Sequence, residues 1–218
     1  MKIVEQSHER LYPLQVHYKN DGWIDECRLI ELAGRTAYKS EDKITEDSYK
    51  QFIEMIVKRG HEAVLEFGNM VVRFITDRGI THEIVRHRLC SFVQESTRYC
   101  NYSADKFGGE LSFVKPSFSG DWAEADKNVW EAACIDAEVN YLTMINDGQC
   151  KPQEARAVLP NCLKTEIVVK ANFCEWRHTF RLRAISKAAH PDMRALMIPL
   201  YEQCREECPV VFDMGDPE

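Results

Sequence analysis

Two runs rich in β-branched and aromatic residues constrain this chain most: NMVVRFITD (Asn69–Asp77) and KTEIVVKANF (Lys164–Phe173). Each reads as a strand. Most of what surrounds them has helical spacing instead, over Ile24–Thr36, Thr45–Arg59, Ile80–Leu89 and Asp121–Asp147. Thr45 is the expected N-cap of the second helix, with acids in its first turn and Gly60 as its stop. On the longest helix, Trp122, Val129, Ala133, Ala137 and Tyr141 trace the stripe expected to face inward. LSFVKP (Leu111–Pro116) is a short strand halted by proline. Pro152 opens a short helix to Leu159, EWRHTFRLRAISKAA (Glu175–Ala189) is helical again, and Pro191 opens the last helix, with Pro199 as a kink. Strands this few, out of regular alternation with helices, predict an α+β fold and not a doubly wound sheet. No Pro/Gly/Ser-rich linker interrupts the chain, so residues 1–218 read as a single domain.

With 218 residues the chain can bury a substantial core. Its net charge of -7 argues against a general nucleic-acid or membrane-surface binder. An anionic ligand must therefore be held by a local cluster of Arg, Lys or His. Nine cysteines are scattered without a C-x-x-C pair, which supports neither a zinc ribbon nor a thioredoxin-like motif. No metal site is expected, and the thiols are expected to be reduced, as in a cytoplasm. No run of about 18 apolar residues is present, and the N-terminus lacks a signal-peptide apolar core. The common glycine-rich phosphate cradles and the G-x-S-x-G elbow are missing too. Phosphate would then fall to guanidiniums and hydroxyls, whose geometry suits its oxygens.

The local cluster is VRHRLCSFVQESTRY (Val85–Tyr99). On a continuous helix, Arg86, His87 and Arg88 would point about 100° apart and could not converge on one group. They serve two ligands, or they sit where the helix ends and the chain turns, where positive charge also favours the helix dipole. Ser96 follows after seven residues and Arg98 one further on. Chance occurrence of R-H-R-x7-S-x-R in a chain this long is about 10⁻⁴ or less. This pattern resembles the signature of flavin-dependent thymidylate synthases, which use FAD and no catalytic cysteine. RGHEAVLEF (Arg59–Phe67), EARAVLP (Glu154–Pro160) and ANFCEWRHTFRLR (Ala171–Arg183) resemble further segments of that family, and the likeness runs over most of residues 24 to 207.

The resemblance implies the family's fold, a small mostly antiparallel sheet flanked by long helices. It implies conversion of dUMP to dTMP, with 5,10-methylenetetrahydrofolate as one-carbon donor and NADPH-reduced FAD as hydride source. By position, Arg183 is the catalytic residue; its guanidinium beside the uracil would stabilise negative charge as the ring becomes nucleophilic. FAD would be held by His61, Glu66, Arg86, His87, Arg88, Gln94, Asn172 and His178. dUMP would be held by Glu83, Arg86, Gln94, Glu95, Ser96, Thr97, Arg98, Arg156 and Arg183. Ser96 is a binding residue here and not a nucleophile, because no paired base accompanies it. The resemblance also implies a homotetramer with FAD sites shared between subunits. Four positions depart from the family pattern: Glu83 stands for a glutamine, Cys174 for an arginine, Gln94 for a glutamate and Ala37 for a serine. These leave open a flavin-binding relative without the chemistry. The Arg-rich loop alone would also suit a binding module for a phosphorylated partner.

Overall fold

The computed structural model describes residues 1–13, 21–104 and 108–217. The strands are β1 (Lys2–Val4), β2 (Ser7–Tyr12), β3 (Asn69–Asp77), β4 (Ser91–Gln94), β5 (Ser112–Val114) and β6 (Lys164–Asn172). The helices are α1 (Asp21–Tyr38), α2 (Ser48–Lys58), α3 (Arg78–Ile84), α4 (Glu124–Asn146), α5 (Pro152–Ala155), α6 (Phe173–Phe180), α7 (Pro191–Glu207) and α8 (Pro209–Phe212). β2, β3, β6 and β4 form a small four-stranded sheet in that order, and β1 pairs in parallel with β5. The architecture is α+β. The two long strands fall where the sequence puts them. Along both, every second side chain is buried: Met70, Val72, Phe74 and Thr76 on β3, and Thr165, Ile167, Val169 and Ala171 on β6.

The chain gathers into two compact units. The first comprises Met1–Ser7, Phe74–Arg86 and Val93–Ile167. Its core sets Tyr102, Leu111, Phe113, Cys134, Tyr141 and Leu163 together. The inward face of α4 differs from the expected stripe. Val129 is 70% exposed and Ala133 is exposed, while Cys134, Ala137, Glu138 and Tyr141 face the core. An apolar count misses this because one inward position is a carboxylate: Glu138 accepts the Leu111 amide at 2.8 Å.

The second unit comprises His8–Arg73, His87–Phe92 and Val168–Glu218. Its core is aromatic, with Trp23, Phe173, Phe180 and Phe212 stacked edge-on or tilted at centroid spacings of 5.3 to 5.9 Å. Helix α2 buries Tyr49, Phe52, Ile53 and Ile56, one face at helical spacing. It begins after Asp47, not at Thr45, and has no acid in its first turn. The Ser48 hydroxyl explains the late start. It accepts the Thr45 amide at 2.8 Å and donates to Glu31 on α1. Gly60 ends the helix as expected, at φ 69°, while Gly60 and His61 donate to the carbonyls of Val57 and Ile56.

Two helices are shorter than their periodicity suggests. α3 stops at Ile84 instead of Leu89; the Arg86 amide turns back to Glu83, and the chain leaves for β4. The Arg-His-Arg triplet therefore lies in a turn. α6 stops at Phe180, and Arg181–Ile185 form a wider π-type turn, closed by the Ser186 amide on the Arg181 carbonyl at 3.1 Å.

Gly68 permits the close approach of β3 and α6. A methyl group there would lie 2.5 Å from the Phe173 ring and 2.8 Å from Ile30. Gly68→Ala should cost about 1–3 kcal/mol, read as a lower urea midpoint at unchanged slope.

Candidate active site

Within the first unit, the segment after β4 and the α5 turn meet at a cleft. Its volume is about 270 Å³, and Arg78, Thr97, Arg156, Pro160, Asn161 and Leu163 are among its lining. Thr97 is buried, and its hydroxyl accepts from Arg156 at 3.3 Å. Arg78 is the residue that sequence reasoning missed. It lies outside every recognised motif, but it is the first helical residue after a strand-ending aspartate. Asp77 caps α3 by accepting the Ile80 amide at 2.7 Å. Arg78 and Arg156 thus bring two guanidiniums and a hydroxyl to one cleft, a donor set that fits a phosphate monoester.

Gln94 and Glu95 support this cleft instead of lining it. The Gln94 amide donates to Thr81 at 2.9 Å and Thr165 at 3.3 Å, and the Thr81 hydroxyl donates onward to the Arg78 carbonyl at 3.0 Å. Glu95 accepts from the Tyr102 hydroxyl at 2.7 Å and pairs with Lys164 at 3.4 Å. Ser96 uses its hydroxyl to accept the Arg98 amide. Arg98 is exposed, reaches Gln153 at 3.2 Å and stacks on Tyr99. Glu83 is partly exposed and Arg86 is exposed, both at the end of α3. Neither they, Ser96 nor Arg98 lines the cleft.

Within the second unit, the π-type turn sets Arg183 against His87. The Arg183 Nε–H donates to His87 Nε2 at 3.1 Å, so the imidazole carries its proton on Nδ1. That proton faces the Thr179 hydroxyl at 3.3 Å and the Glu175 carboxyl at 3.5 Å. His87 is 7% exposed, and its pKa is pushed down to about 4 by burial and by the charges of Arg183 and His178. Burial likewise raises the Glu175 carboxyl above the usual range. The arrangement holds an always-charged guanidinium on a neutral ring.

Asn172 caps α6 by accepting the Glu175 amide at 2.8 Å. His178 lies on α6, exposed, with its ring 6.2 Å from that of His87. Arg88 and Glu66 are exposed, and so is His61, whose Nδ1 is 3.1 Å from the Tyr38 hydroxyl. The accessible donors His61, Arg88 and His178 suit an anionic cofactor. Cys90, inside the signature segment, is pushed up to about 12, first by burial and then by Glu175; it is a protonated thiol at neutral pH. No cluster of His, Cys, Asp and Glu among the described residues could hold a metal ion.

Known proteins resemble this chain over most of its length. Residues 21–210 match the family model described as thymidylate synthase complementing protein. Flavin-dependent thymidylate synthases are 31% identical in Corynebacterium aurimucosum (89% of this chain, 82% of that protein) and 31% identical in Geobacter sulfurreducens (86% and 81%). The enzyme of Mycobacterium tuberculosis is 33% identical over 84% of this chain and 77% of its own. In fold, the chain resembles the UMP/dUMP methylase PolB of Streptomyces cacaoi, crystallised with 5-Br dUMP. The TM-score is 0.74 at 18% identity, covering 98% of this chain and 96% of that one. The chain belongs to the flavin-dependent thymidylate synthase family.

Two outcomes follow from the site's chemistry. The Thr81 hydroxyl proton is committed to the Arg78 carbonyl, so position 94 must supply a donor. Gln94→Glu should cost about 1–3 kcal/mol in urea unfolding. His87 refuses a proton that its unfolded form accepts below pH 6.5. The stability tied to it is therefore complete above pH 6.5 and is lost as pH falls toward about 4. The loss is up to about 3 kcal/mol. His87→Gln should flatten the fall in urea midpoint across that window relative to wild type.

Proposed function

We propose that this chain makes dTMP from dUMP, with 5,10-methylenetetrahydrofolate as one-carbon donor and NADPH-reduced FAD as hydride source. The observation that carries this reading is Arg183 held on the neutral imidazole of His87, in a chain of this family. A guanidinium so fixed can stabilise negative charge on the uracil edge while C5 becomes nucleophilic. No thiolate is required, in keeping with the protonated state of Cys90.

Arg156, Arg78 and Thr97 hold the dUMP phosphate. Ser96, Arg98, Glu83 and Arg86 complete the nucleotide contacts around it, and Gln94 and Glu95 keep the lining in place. His61, Arg88 and His178, with Glu66, Arg86, His87 and Asn172, form the flavin-binding set, in which the basic side chains neutralise the pyrophosphate. Bound FAD supplies the hydride. Cys174 is only partly exposed, so the arginine of other family members is replaced there by a group that adds no charge. Gln94 meets a local need for a donor and does not argue for lost chemistry.

The active form is a homotetramer that shares its FAD sites between subunits. Large apolar side chains left in solvent favour this reading: Leu89, Val93 and Tyr99 in the signature segment, and Val129 and Val139 on α4. The setting is the cytoplasm. Among the described residues no helix is long and apolar enough to cross a membrane.

The test is direct. Purified protein should be yellow and, under anaerobic conditions with dUMP, methylenetetrahydrofolate and NADPH, should form dTMP; a protein that refuses FAD overturns the reading. Arg183→Ala should keep the flavin spectrum and lose about 10²–10³-fold in turnover. Arg156→Ala should raise the KM for dUMP about tenfold or more, with a smaller change in kcat.

A further inference from the structure

The core of the first unit contains a pair of side chains with no part in binding dUMP or flavin. Cys134 on α4 and Cys162, just before β6, bring their sulfurs to 3.7 Å. Their surroundings differ. Cys134 is 1% exposed, while Cys162 is partly exposed. The Cys162 sulfur shares a hydrogen bond with that of Cys134, which holds it below the ordinary thiol range against the effect of burial. Cys134 is pushed up by the same hydrogen bond and by burial. A thiolate is the attacking form in thiol oxidation, and access decides which sulfur an oxidant meets.

We propose that Cys134 and Cys162 form a peroxide-reactive dithiol, in which the more accessible Cys162 is oxidised first and the buried Cys134 resolves it. In the first step the Cys162 thiolate attacks one oxygen of hydrogen peroxide. The S–O bond forms, the O–O bond breaks, and the departing hydroxide takes a proton to become water. In the second step the Cys134 sulfur attacks the sulfenic acid on Cys162. The S–S bond forms, the S–O bond breaks, and hydroxide leaves with the Cys134 proton as a second water. Two thiols lose two electrons, and one peroxide becomes two waters. The sulfurs must close from 3.7 Å to about 2.0 Å.

That closure pulls on a loop already tied down. The Asn161 carbonyl accepts the amides of Arg78 and Gly79, the Cys162 carbonyl accepts that of Val114, and Asn161 and Leu163 line the cleft with Arg156. Oxidation is therefore felt at the cleft; this part of the inference rests on the reading of that cleft as the dUMP site. A second pair serves as an internal control. Cys27 and Cys208 have sulfurs 3.6 Å apart in the second unit, but both are buried, and Cys27 is pushed up by its hydrogen bond to Cys208 and by burial.

The experiment treats the FAD-loaded full chain with graded hydrogen peroxide, blocks remaining thiols with iodoacetamide, and maps peptides by mass. The expected product is a Cys134–Cys162 cross-link, lighter by two hydrogens, that precedes any Cys27–Cys208 link and is reversed by dithiothreitol. Cys134→Ser should leave a sulfenic acid on Cys162 that dimedone traps. Cys162→Ser should leave Cys134 unoxidised. The proposal is overturned if both sulfurs remain free while other cysteines oxidise, or if Cys162 links elsewhere. On the same samples, dUMP affinity should weaken about fivefold or more on oxidation and return on reduction. An unchanged affinity in cross-linked protein overturns the coupling to the cleft. Reduced protein that binds no dUMP yet forms the cross-link overturns the nucleotide reading and leaves the dithiol standing.

Discussion

Each long strand ends on a side chain that starts a helix, and the functional residues hang from these two junctions. Asp77 accepts the Ile80 amide at the end of β3, and Asn172 accepts the Glu175 amide at the end of β6. A cap of this kind is worth about 1 kcal/mol, a modest sum for stability. Its larger effect is angular. Moving a helix start by one residue turns every side chain on it by about 100°. Arg78 reaches its cleft because it is the first residue of α3. His178 and Arg183 take their directions from α6 and from the wider turn that follows it.

An acidic chain can leave a cation uncancelled by keeping the group beside it neutral. His87 stays uncharged next to Arg183, and burial lifts Glu175 toward its neutral form. The guanidinium thus rests on a ring that carries no charge of its own. In the first unit the acid within the signature segment, Glu95, is occupied by Tyr102 and Lys164 and is kept out of the lining. Positive charge is concentrated by placement in a chain whose net charge is -7.

The two long strands were legible because a half-buried pleated surface favours β-branched and aromatic side chains, and those residues stand out in any sequence. Helix boundaries were less legible. The start of α2 depends on what the Ser48 hydroxyl bonds, and the end of α3 on a turn without glycine or proline to mark it. The inward face of α4 does not show in an apolar pattern because Glu138 is polar by type and buried by pairing with a backbone amide. The signature residues were visible as a pattern, but their division of labour was not. Arg156 and Thr97 line a cleft, while Gln94 and Glu95 brace it, and sequence spacing carries no trace of that difference. Arg78 stayed hidden because its importance comes from a strand end. The wider turn at Arg181–Ile185 has no residue code that announces it.

Thr97 and Gln94 each brace the cleft through bonds to other residues of the chain. With that cleft as the proposed dUMP site, a nucleotide-mimicking inhibitor seated there would meet a target with few ways to escape. A substitution that repels the compound by altering Thr97 also frees the guanidinium of Arg156, and one at Gln94 disturbs the threonines that brace the sheet. Resistance would have to arise at the rim, at a position such as Gln153, where a side chain can change without the scaffold following it.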